Sequence, residues 1–332
     1  MLANPEGGRK ARELARALIA DPEMPGADAA AIRDALVERV SSAEDGLARL
    51  GWRFLALGEP EFPARLAAVA DPPLGVFVRG ALPSGHAAAL VGARRATAYG
   101  REVAEYLGRE LARAGVAVVS GMARGVDGAA HRGALAGGGA TIAVWGAGPD
   151  RVYPTEHGDL AEEIAARGCL LTEYPAGCPP LAQHFPERNR IIAGLSEVVV
   201  VVEADERSGA LITARLALDE GREVMAVPGS VFSRLSAGPN GLLRAGAAPV
   251  LSADDVLSAL ELPPAPTSAR EEEPPLLALI RPGEGATVDR LAAASGQPVA
   301  QVLETLLALE LAGRIVRQPD GSYRRSHVGP SP

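Results

Sequence analysis

Cysteine, lysine and long apolar stretches are scarce in this 332-residue chain. With Cys169 and Cys178 alone, neither a disulfide framework nor a zinc cluster is predicted, and we interpret both residues as ordinary thiols. No run reaches the roughly eighteen apolar residues of a membrane helix, and the opening MLANPEGGRK lacks the apolar core of a secretion signal. These absences predict a cytoplasmic protein without a membrane partner.

The charge balance argues against a protein that coats nucleic acid by bulk electrostatics. The formal net charge is -8 at pH 7 and the sequence pI is about 5.3, so any phosphate contact has to be local. Lys10 is the one lysine, and nearly all other basic residues are arginines. This composition fits guanidinium recognition of phosphate, and a biased genome composition explains it equally well.

From about residue 87, short apolar runs alternate with amphipathic segments. The runs are AAALVG, VAVVSG, TIAVWG, CLLTEY, EVVVVVE and EVMAVPG. Strands that are apolar on both faces, each followed by a helix, form parallel sheets covered on both sides. The pattern therefore predicts a doubly wound α/β domain, in which ligands bind outside the carboxyl ends of the strands.

Smaller segments flank this predicted domain. Residues 1–50 carry helical periodicity and predict a small helical domain, whereas residues 51–80 indicate a connecting subdomain with edge strands. Residues 261–275 are rich in proline and charge, which is typical of a linker. Residues 276–325 predict three short helices and a hairpin, the pattern of a winged-helix domain.

The first predicted turn of the central domain contains the sequence GARRATAYG. It places Gly92, Arg94 and Arg95 directly after a strand, where arginines can fork onto phosphate oxygens. The alternative is a pair of solvated surface arginines. Thr97 is a candidate cap for the next helix.

The second predicted turn, SGMARGVDGAAHRGAL, is rich in small residues. The residues expected to face a ligand are Ser120, Gly121, Gly125 and Gly128. Their spacing, G-x-x-x-G-x-x-G, differs from the dinucleotide fingerprint, although backbone N–H groups at a helix start still favour an anion. We expect Asp127 to orient the loop and His131 to be structural, because no nucleophile or metal-ligand partner stands at helical spacing from it.

The third predicted turn, WGAGPDRVYP, comes nearest to a nucleotide fingerprint. Gly146 and Gly148 are spaced correctly, but Pro149 interrupts the pattern and Arg151 replaces the third glycine. Binding of NAD or FAD is therefore not predicted, and the absence of G-x-x-x-x-G-K-[ST] removes a conventional ATPase loop. We predict no cofactor.

The fourth feature is the segment HFPERNRIIAGLS. Arg188, Asn189 and Arg190 are predicted at a helix entrance, where planar hydrogen-bonding groups suit phosphates and base edges, and Phe185 is placed to stack on a base. The alternative is Asn189 as a helix cap with both arginines in solvent.

The fifth turn, EADERSGALITA, puts Ser208 and Gly209 at a helix start and Thr213 one turn further. Several anion-binding turns on one sheet edge favour a chain of phosphates over a single nucleotide.

Six ordered sequence blocks resemble the DNA-processing protein A family, DprA/Smf. The blocks are VGARRATAYG, SGMARGVDGAAHRGAL, TIAVWGAGPDRVYPTEHGDLAEEI, FPERNRIIAGLS, SGALITARLALDEGREVMAVPG and GPNGLLRAGAAPV. The resemblance spans about residues 52 to 260 and implies an extended Rossmann-like DNA-binding domain over residues 51–260. It also implies a homodimer that is not an enzyme, binds single-stranded DNA without sequence preference and loads RecA recombinase onto DNA held by single-strand-binding protein, in recombination and natural transformation.

By motif position, the resemblance implies a DNA pocket formed by four of the five turns. Its residues would be Gly92, Arg94, Ser120, Gly121, Gly125, Phe185, Arg188, Asn189, Arg190, Ser208, Gly209 and Thr213, and the basic first turn adds Arg95. Ala93 and Ala210 stand where serine is usual in the family, so hydroxyl donors are absent there. Residues 1–50 resemble the sterile-alpha-motif-like domain of the family only loosely.

The last predicted helix, PVAQVLETLLALELAG, offers Gln301 and Thr305 but no cation before Arg314. It is therefore not expected to recognise a DNA sequence in a major groove, and a protein-contact or stabilising role fits better.

Two other functions remain open from the sequence. The phosphoribohydrolases of cytokinin activation share a similar fold, but carry P-G-G-x-G-T-x-x-E where this chain has ERSGALITA. A protein-interaction scaffold whose partner carries the DNA is the third possibility. Release of free base from a nucleoside monophosphate would favour the phosphoribohydrolase. Failure of the protein to bind oligonucleotides would favour the interaction scaffold.

Overall fold

The computed structural model of this chain describes residues 47–264, 274–281, 284–318 and 320–325. The chain divides into two compact units, Met1–Ala265 and Pro266–Pro332. The helical domain predicted over residues 1–50 lies almost entirely outside the described residues, as does most of the linker predicted over 261–275.

A nine-stranded sheet forms the centre of the larger unit over its described residues. The strands are β1 (Trp52–Ala56), β2 (Gly75–Gly80), β3 (Ala87–Val91), β4 (Ala117–Ser120), β5 (Thr141–Val144), β6 (Cys169–Thr172), β7 (Val198–Val201), β8 (Glu223–Ala226) and β9 (Ala248–Pro249). Their order is β1-β2-β6-β5-β4-β3-β7-β8-β9, and every neighbouring pair from β6 to β9 is parallel. The predicted mostly parallel, doubly wound sheet is confirmed.

The connecting segment over residues 51–80 is part of this sheet. β1 pairs with β2, and β2 pairs with β6, in both cases antiparallel. The prediction of edge strands holds for β1 and is wrong for β2, whose run GVFVRG is mostly buried between two neighbours. A hairpin therefore covers an edge that a purely parallel sheet would leave unpaired.

Helices cover both faces of the sheet. They are α1 (Ala64–Ala67), α2 (Ala98–Arg113), α3 (Val126–Ala136), α4 (Gly158–Arg167), α5 (His184–Leu195), α6 (Gly209–Asp219), α7 (Ala237–Arg244) and α8 (Ala253–Ala259). Successive side chains of β7 explain the two layers, because Val199 packs with Ile191 of α5 while Val200 belongs to the opposite core with Leu107 of α2. Over the described part of the chain, no helix combines the length and the apolar character needed to cross a bilayer.

The smaller unit has the predicted winged-helix pattern. It contains α9 (Pro275–Ala278), α10 (Val288–Ser295), α11 (Val299–Leu311), β10 (Ile315–Arg317) and β11 (Tyr323–Arg325). β10 and β11 are antiparallel, and an isolated bridge joins Ala286 to Tyr323. Leu306 lies in the core of this unit, whereas Leu303 and Leu307 of the same helix are exposed. The exposed face of α11 combines Leu303 and Leu307 with Gln301 and Glu304, and it carries no cation.

Candidate nucleic-acid interface

A cavity of about 250 Å³ opens at the carboxyl edge of the sheet. It lies where the strand order reverses, between β3 and β7, which is the usual ligand position in doubly wound folds. The predicted site residues that line it are Gly92, Arg94, Phe185, Arg188, Asn189, Ser208, Gly209 and Thr213. Ala123 and Asp127 of the second turn line it too, so three of the predicted turns and α5 meet at one place, which we call the switch-point pocket.

The turn after β3 is held in place by Glu203, which lies directly after β7. The Glu203 carboxylate accepts hydrogen bonds from the backbone N–H of Thr97 at 2.8 Å and from its hydroxyl at 2.6 Å. Thr97 also caps α2 by accepting from the Gly100 N–H, as predicted. Because this turn is fixed, Arg94 is held with its Cζ 4.9 Å from the centroid of the Phe185 ring.

The turn after β4 is held by a buried carboxylate. Asp127 Oδ2 accepts from the N–H of Gly121 at 3.1 Å and of Ala123 at 3.4 Å, which confirms that Asp127 orients the loop. Burial raises the pKa of Asp127 above its usual range. Met122, between the two bonded residues, has a φ of 54°, and its carbonyl is 3.0 Å from Nδ1 of His157. Buried polar contacts thus fix the loop shape.

The glycines of this second turn make room for protein atoms, and none of them lines the switch-point pocket. A Cβ on Gly121 would lie 1.6 Å from Nη1 of Arg188, and one on Gly125, whose φ is 76°, would lie 2.2 Å from the Ala93 carbonyl oxygen. A Cβ on Gly128 would meet the His157 ring at 2.9 Å. The spacing therefore reflects close packing between turns.

Gly209 is different, because a Cβ added to it would have no atom within 4 Å, and it lines the pocket. Ser208 caps α6 by accepting from the Ala210 N–H, and Thr213 is buried one turn further. Asn189 Nδ2 donates to the Gly209 carbonyl at 3.3 Å, which joins α5 to the start of α6. The fifth turn thus forms the open wall of the pocket.

Arg188 is the buried cation of the site, with 4% of its surface exposed. Its Nη2 donates to the Gly121 carbonyl at 3.2 Å, while its Nε has no hydrogen-bond partner among the described residues. Burial lowers the pKa of Arg188 to about 10, and the Asp127 carboxylate opposes that shift. The guanidinium therefore stays charged at neutral pH and lines the cavity, while its buried Nε is left without a hydrogen-bond partner among the described residues.

The helix start explains why Arg190 behaves differently. The sequence predicts Arg188 and Arg190 at a helix entrance, but α5 already begins at His184, since Pro186 is tolerated in a first turn. Residues two apart in a helix differ in direction by about 200°, so Arg190 faces away from Arg188. Arg190 donates to both oxygens of Glu173, at 2.8 and 2.6 Å, and to Asp71 at 3.1 Å. Arg190 therefore does not line the switch-point pocket, which differs from its predicted position.

Besides Arg190, the predicted residues Ser120, Arg95, Gly121 and Gly125 also lie outside the lining of the switch-point pocket. Ser120 is fully buried and donates to the Leu90 carbonyl at 2.7 Å, so its hydroxyl joins neighbouring strands. Arg95 is exposed but lines neither the switch-point pocket nor the smaller cavity beside it. His131 is also buried, with Nδ1 2.7 Å from the Thr141 hydroxyl, and desolvation lowers its pKa to about 3. This placement agrees with a structural role.

A second, smaller cavity of about 30 Å³ adjoins the first. Both share Arg94, Phe185 and Arg188, so these side chains stand between the two depressions. Tyr153, which the sequence reasoning missed, lies in the second cavity with its ring centroid 5.4 Å from that of Phe185. The nearby Arg124 forms an ion pair with Glu156. The only sequence signal for Tyr153 is an aromatic residue in the third turn.

Two protein-family models match this chain. A family model described as DNA recombination-mediator protein A matches residues 53–261, and a second, described as the DprA winged helix domain, matches residues 260–321. The chain belongs to the DprA family. The first match spans the whole nine-stranded sheet except the residue that opens β1, so the switch-point pocket lies within the DprA family region.

Curated relatives agree with this membership. Protein Smf of Escherichia coli strain K12 is 42% identical over 281 residues, which cover 79% of this chain and 75% of that protein. DNA processing protein DprA of Bacillus subtilis strain 168 is 42% identical over 213 residues, which cover 63% of this chain and 72% of that protein.

Solved DprA structures are similar as well. DprA from Streptococcus pneumoniae matches with a TM-score of 0.65 and 36% identity, over 75% of this chain and 91% of that one. DprA from Helicobacter pylori, described as having a unique single-stranded DNA binding mode, matches with a TM-score of 0.57 and 31% identity, over 63% of this chain and 95% of that one.

Proposed function

We propose that this chain binds single-stranded DNA without sequence preference at the switch-point pocket. The observation that carries the proposal is Arg188, a buried guanidinium that lines an open cavity and stays charged at neutral pH. A buried cation is expensive unless an anion completes it. A phosphate group supplies both the charge and the acceptor oxygens.

The aromatic residues of the site favour a single strand over a duplex. Phe185 is half-buried between the two cavities, with Arg94 over its ring and Tyr153 beside it. Stacking on such rings requires unpaired bases, and it tolerates any sequence because every base has a π face. The chain is acidic overall, so these local groups must supply the phosphate contacts.

We propose binding without turnover. Asp127 is the one carboxylate that lines either cavity among the described residues, and two backbone N–H groups already occupy it. A glycosidic hydrolysis needs a carboxylate that is free to act as an acid or nucleophile. Incubation with nucleoside monophosphates should therefore release no free base, and clear turnover would favour the phosphoribohydrolase alternative.

We further propose that the bound strand is delivered to RecA recombinase, and that a homodimer does so on DNA covered by single-strand-binding protein. Support comes from the family description as a recombination mediator and from the relatives named above. The expected outcome is faster assembly of RecA on covered single strands when the full chain is added. Unchanged assembly would contradict this step without affecting the binding proposal.

The binding proposal is tested by fluorescence anisotropy with the full chain and labelled oligo-dT, compared with a duplex of equal length. We expect saturable binding to the single strand, with an affinity that falls as salt rises. Equal affinity for the duplex would remove the stacking role of Phe185. No binding to either would favour a protein-interaction scaffold.

A further inference from the structure

The loop after β8 carries an unusually exposed aromatic side chain. Phe232 is 97% exposed and its neighbour Val231 is 83% exposed, the highest values among the large apolar residues of the described chain. An aromatic ring is normally buried in a core or an interface, so its exposure at a loop tip indicates a contact made with another molecule.

The base of this loop is firmly anchored. The Asn240 side chain accepts from the Gly229 N–H at 3.2 Å and donates to the Gly229 carbonyl at 3.1 Å. On the other side of the tip, the Leu235 carbonyl accepts from the Ala204 N–H at 2.7 Å. The polypeptide thus presents Phe232 from a defined base that is joined to the end of β7.

The loop continues the edge that forms the switch-point pocket. β8 runs parallel to β7, so their carboxyl ends lie at one edge, about 4.8 Å apart in the pairing direction. Asp205 connects the two places, because its side chain pairs with Arg234 at 3.3 Å and its carbonyl accepts from the Ser208 N–H at 3.1 Å. Ser208 lines the pocket.

We infer that Phe232 is a base-stacking residue that extends the single-stranded DNA path beyond the switch-point pocket. The inference rests on the proposed function and adds a second stacking position to that of Phe185. Arg234 stands two residues away, and its ion pair with Asp205 is exposed and therefore weak, unlike the buried pair of Arg190 and Glu173, so an adjoining phosphate can replace it.

The composition of the tip favours a nucleobase over a protein as its occupant. Ser230 and Ser233 enclose Val231 and Phe232, so the apolar surface is one ring with a small neighbour and not a broad patch. A ring among hydroxyls and a cation matches the chemistry of single-strand binding sites. Because the loop continues the edge that forms the pocket, the bound DNA would run from the end of β3 across the end of β7 to that of β8.

The test uses the full chain and labelled oligo-dT of increasing length. The Phe232→Ala variant should bind the shortest oligomers, which occupy only the pocket, with wild-type affinity. It should bind longer oligomers about tenfold more weakly, because one stacked base is lost. Leu218→Ala is the matched control. Leu218 is 58% exposed, but it lies near the end of α6, toward the opposite edge of the sheet, and its replacement should change neither affinity.

Phe232→Trp gives a direct readout of stacking. Trp52 and Trp145, the only tryptophans of the chain, are both 4% exposed, so a new signal from position 232 stands out. Its fluorescence should be quenched by long oligo-dT and not by the shortest. Unchanged affinity of Phe232→Ala, together with unquenched fluorescence of Phe232→Trp, would overturn the role of Phe232. If the wild-type chain still binds oligo-dT, the pocket proposal stands in that case. An equal loss of affinity in Leu218→Ala would also overturn the role of Phe232. Absence of wild-type binding would overturn both proposals.

Discussion

The two faces of α5 use the same kind of residue in opposite ways. On the pocket face, Arg188 is buried with an unpaired Nε, and the Asp127 carboxylate favours its charged form. On the other face, Arg190 is paired with Glu173 and Asp71. Only the pocket face therefore carries an arginine whose charge is available to a ligand. The availability of an arginine in a binding motif therefore depends on the carboxylates around it.

The largest expected effect concerns the ion-paired face. Arg190→Met should lower the free energy of unfolding by about 3 kcal/mol, because it removes the cation that pairs with the largely buried Glu173 carboxylate. Urea unfolding of the full chain measures this loss. The affinity of the folded protein for oligo-dT should remain that of wild type.

Glu173→Gln sharpens this prediction if Arg190→Met does not fold. It removes one partner and leaves Arg190 with Asp71, so stability should fall while DNA affinity stays unchanged. Weaker DNA binding by either folded variant would mean that both faces of α5 contact the strand, and the comparison would fail.

The next effect concerns the pocket face. Arg188→Met should weaken oligo-dT binding by at least about 2 kcal/mol, roughly thirtyfold, because the buried charge that meets the phosphate is lost. Anisotropy titrations at one fixed salt concentration measure it. Arg188→Lys keeps the charge but not the planar fork, so it should recover only part of the affinity. A folded Arg188→Met with wild-type affinity would contradict the assignment.

The smallest effect concerns the residue between the two arginines. Asn189→Ala removes the 3.3 Å hydrogen bond to the Gly209 carbonyl and one polar group of the pocket wall. We expect a loss of about 0.5 to 1.5 kcal/mol in oligo-dT binding, a few-fold change in dissociation constant. A loss as large as that of Arg188→Met would make Asn189 a principal contact.

The strands are predictable from sequence because their signal is local. The five-valine run that contains β7 is apolar on both faces, and its two cores follow directly from alternation. The cap at Thr97 and the loop role of Asp127 also depend on residues a few positions away. Short-range chemistry therefore predicts most of the sheet and part of the site.

The misassignments share a long-range cause. The partners of Arg190 stand 17 and 119 residues away in sequence, so nothing near the motif indicates that its charge is already neutralised. From sequence alone, the spacing of Gly121 and Gly125 favours a ligand. In the structure, the atoms beside these glycines belong to Arg188 and to the preceding turn. Glu203, which fixes the Arg94 turn, escapes sequence reasoning for the same reason, since Thr97 lies 106 residues from it.

The account is tested most directly by the salt dependence of oligo-dT binding in a matched pair of neighbours. Arg94 and Arg95 are both exposed, but only Arg94 lines the switch-point pocket. Replacing a phosphate contact reduces the slope of log K against log salt by about 0.7 for a single strand. The account predicts that reduced slope for Arg94→Ala and the wild-type slope for Arg95→Ala. Equal slopes in the two variants would contradict a phosphate site at the switch point.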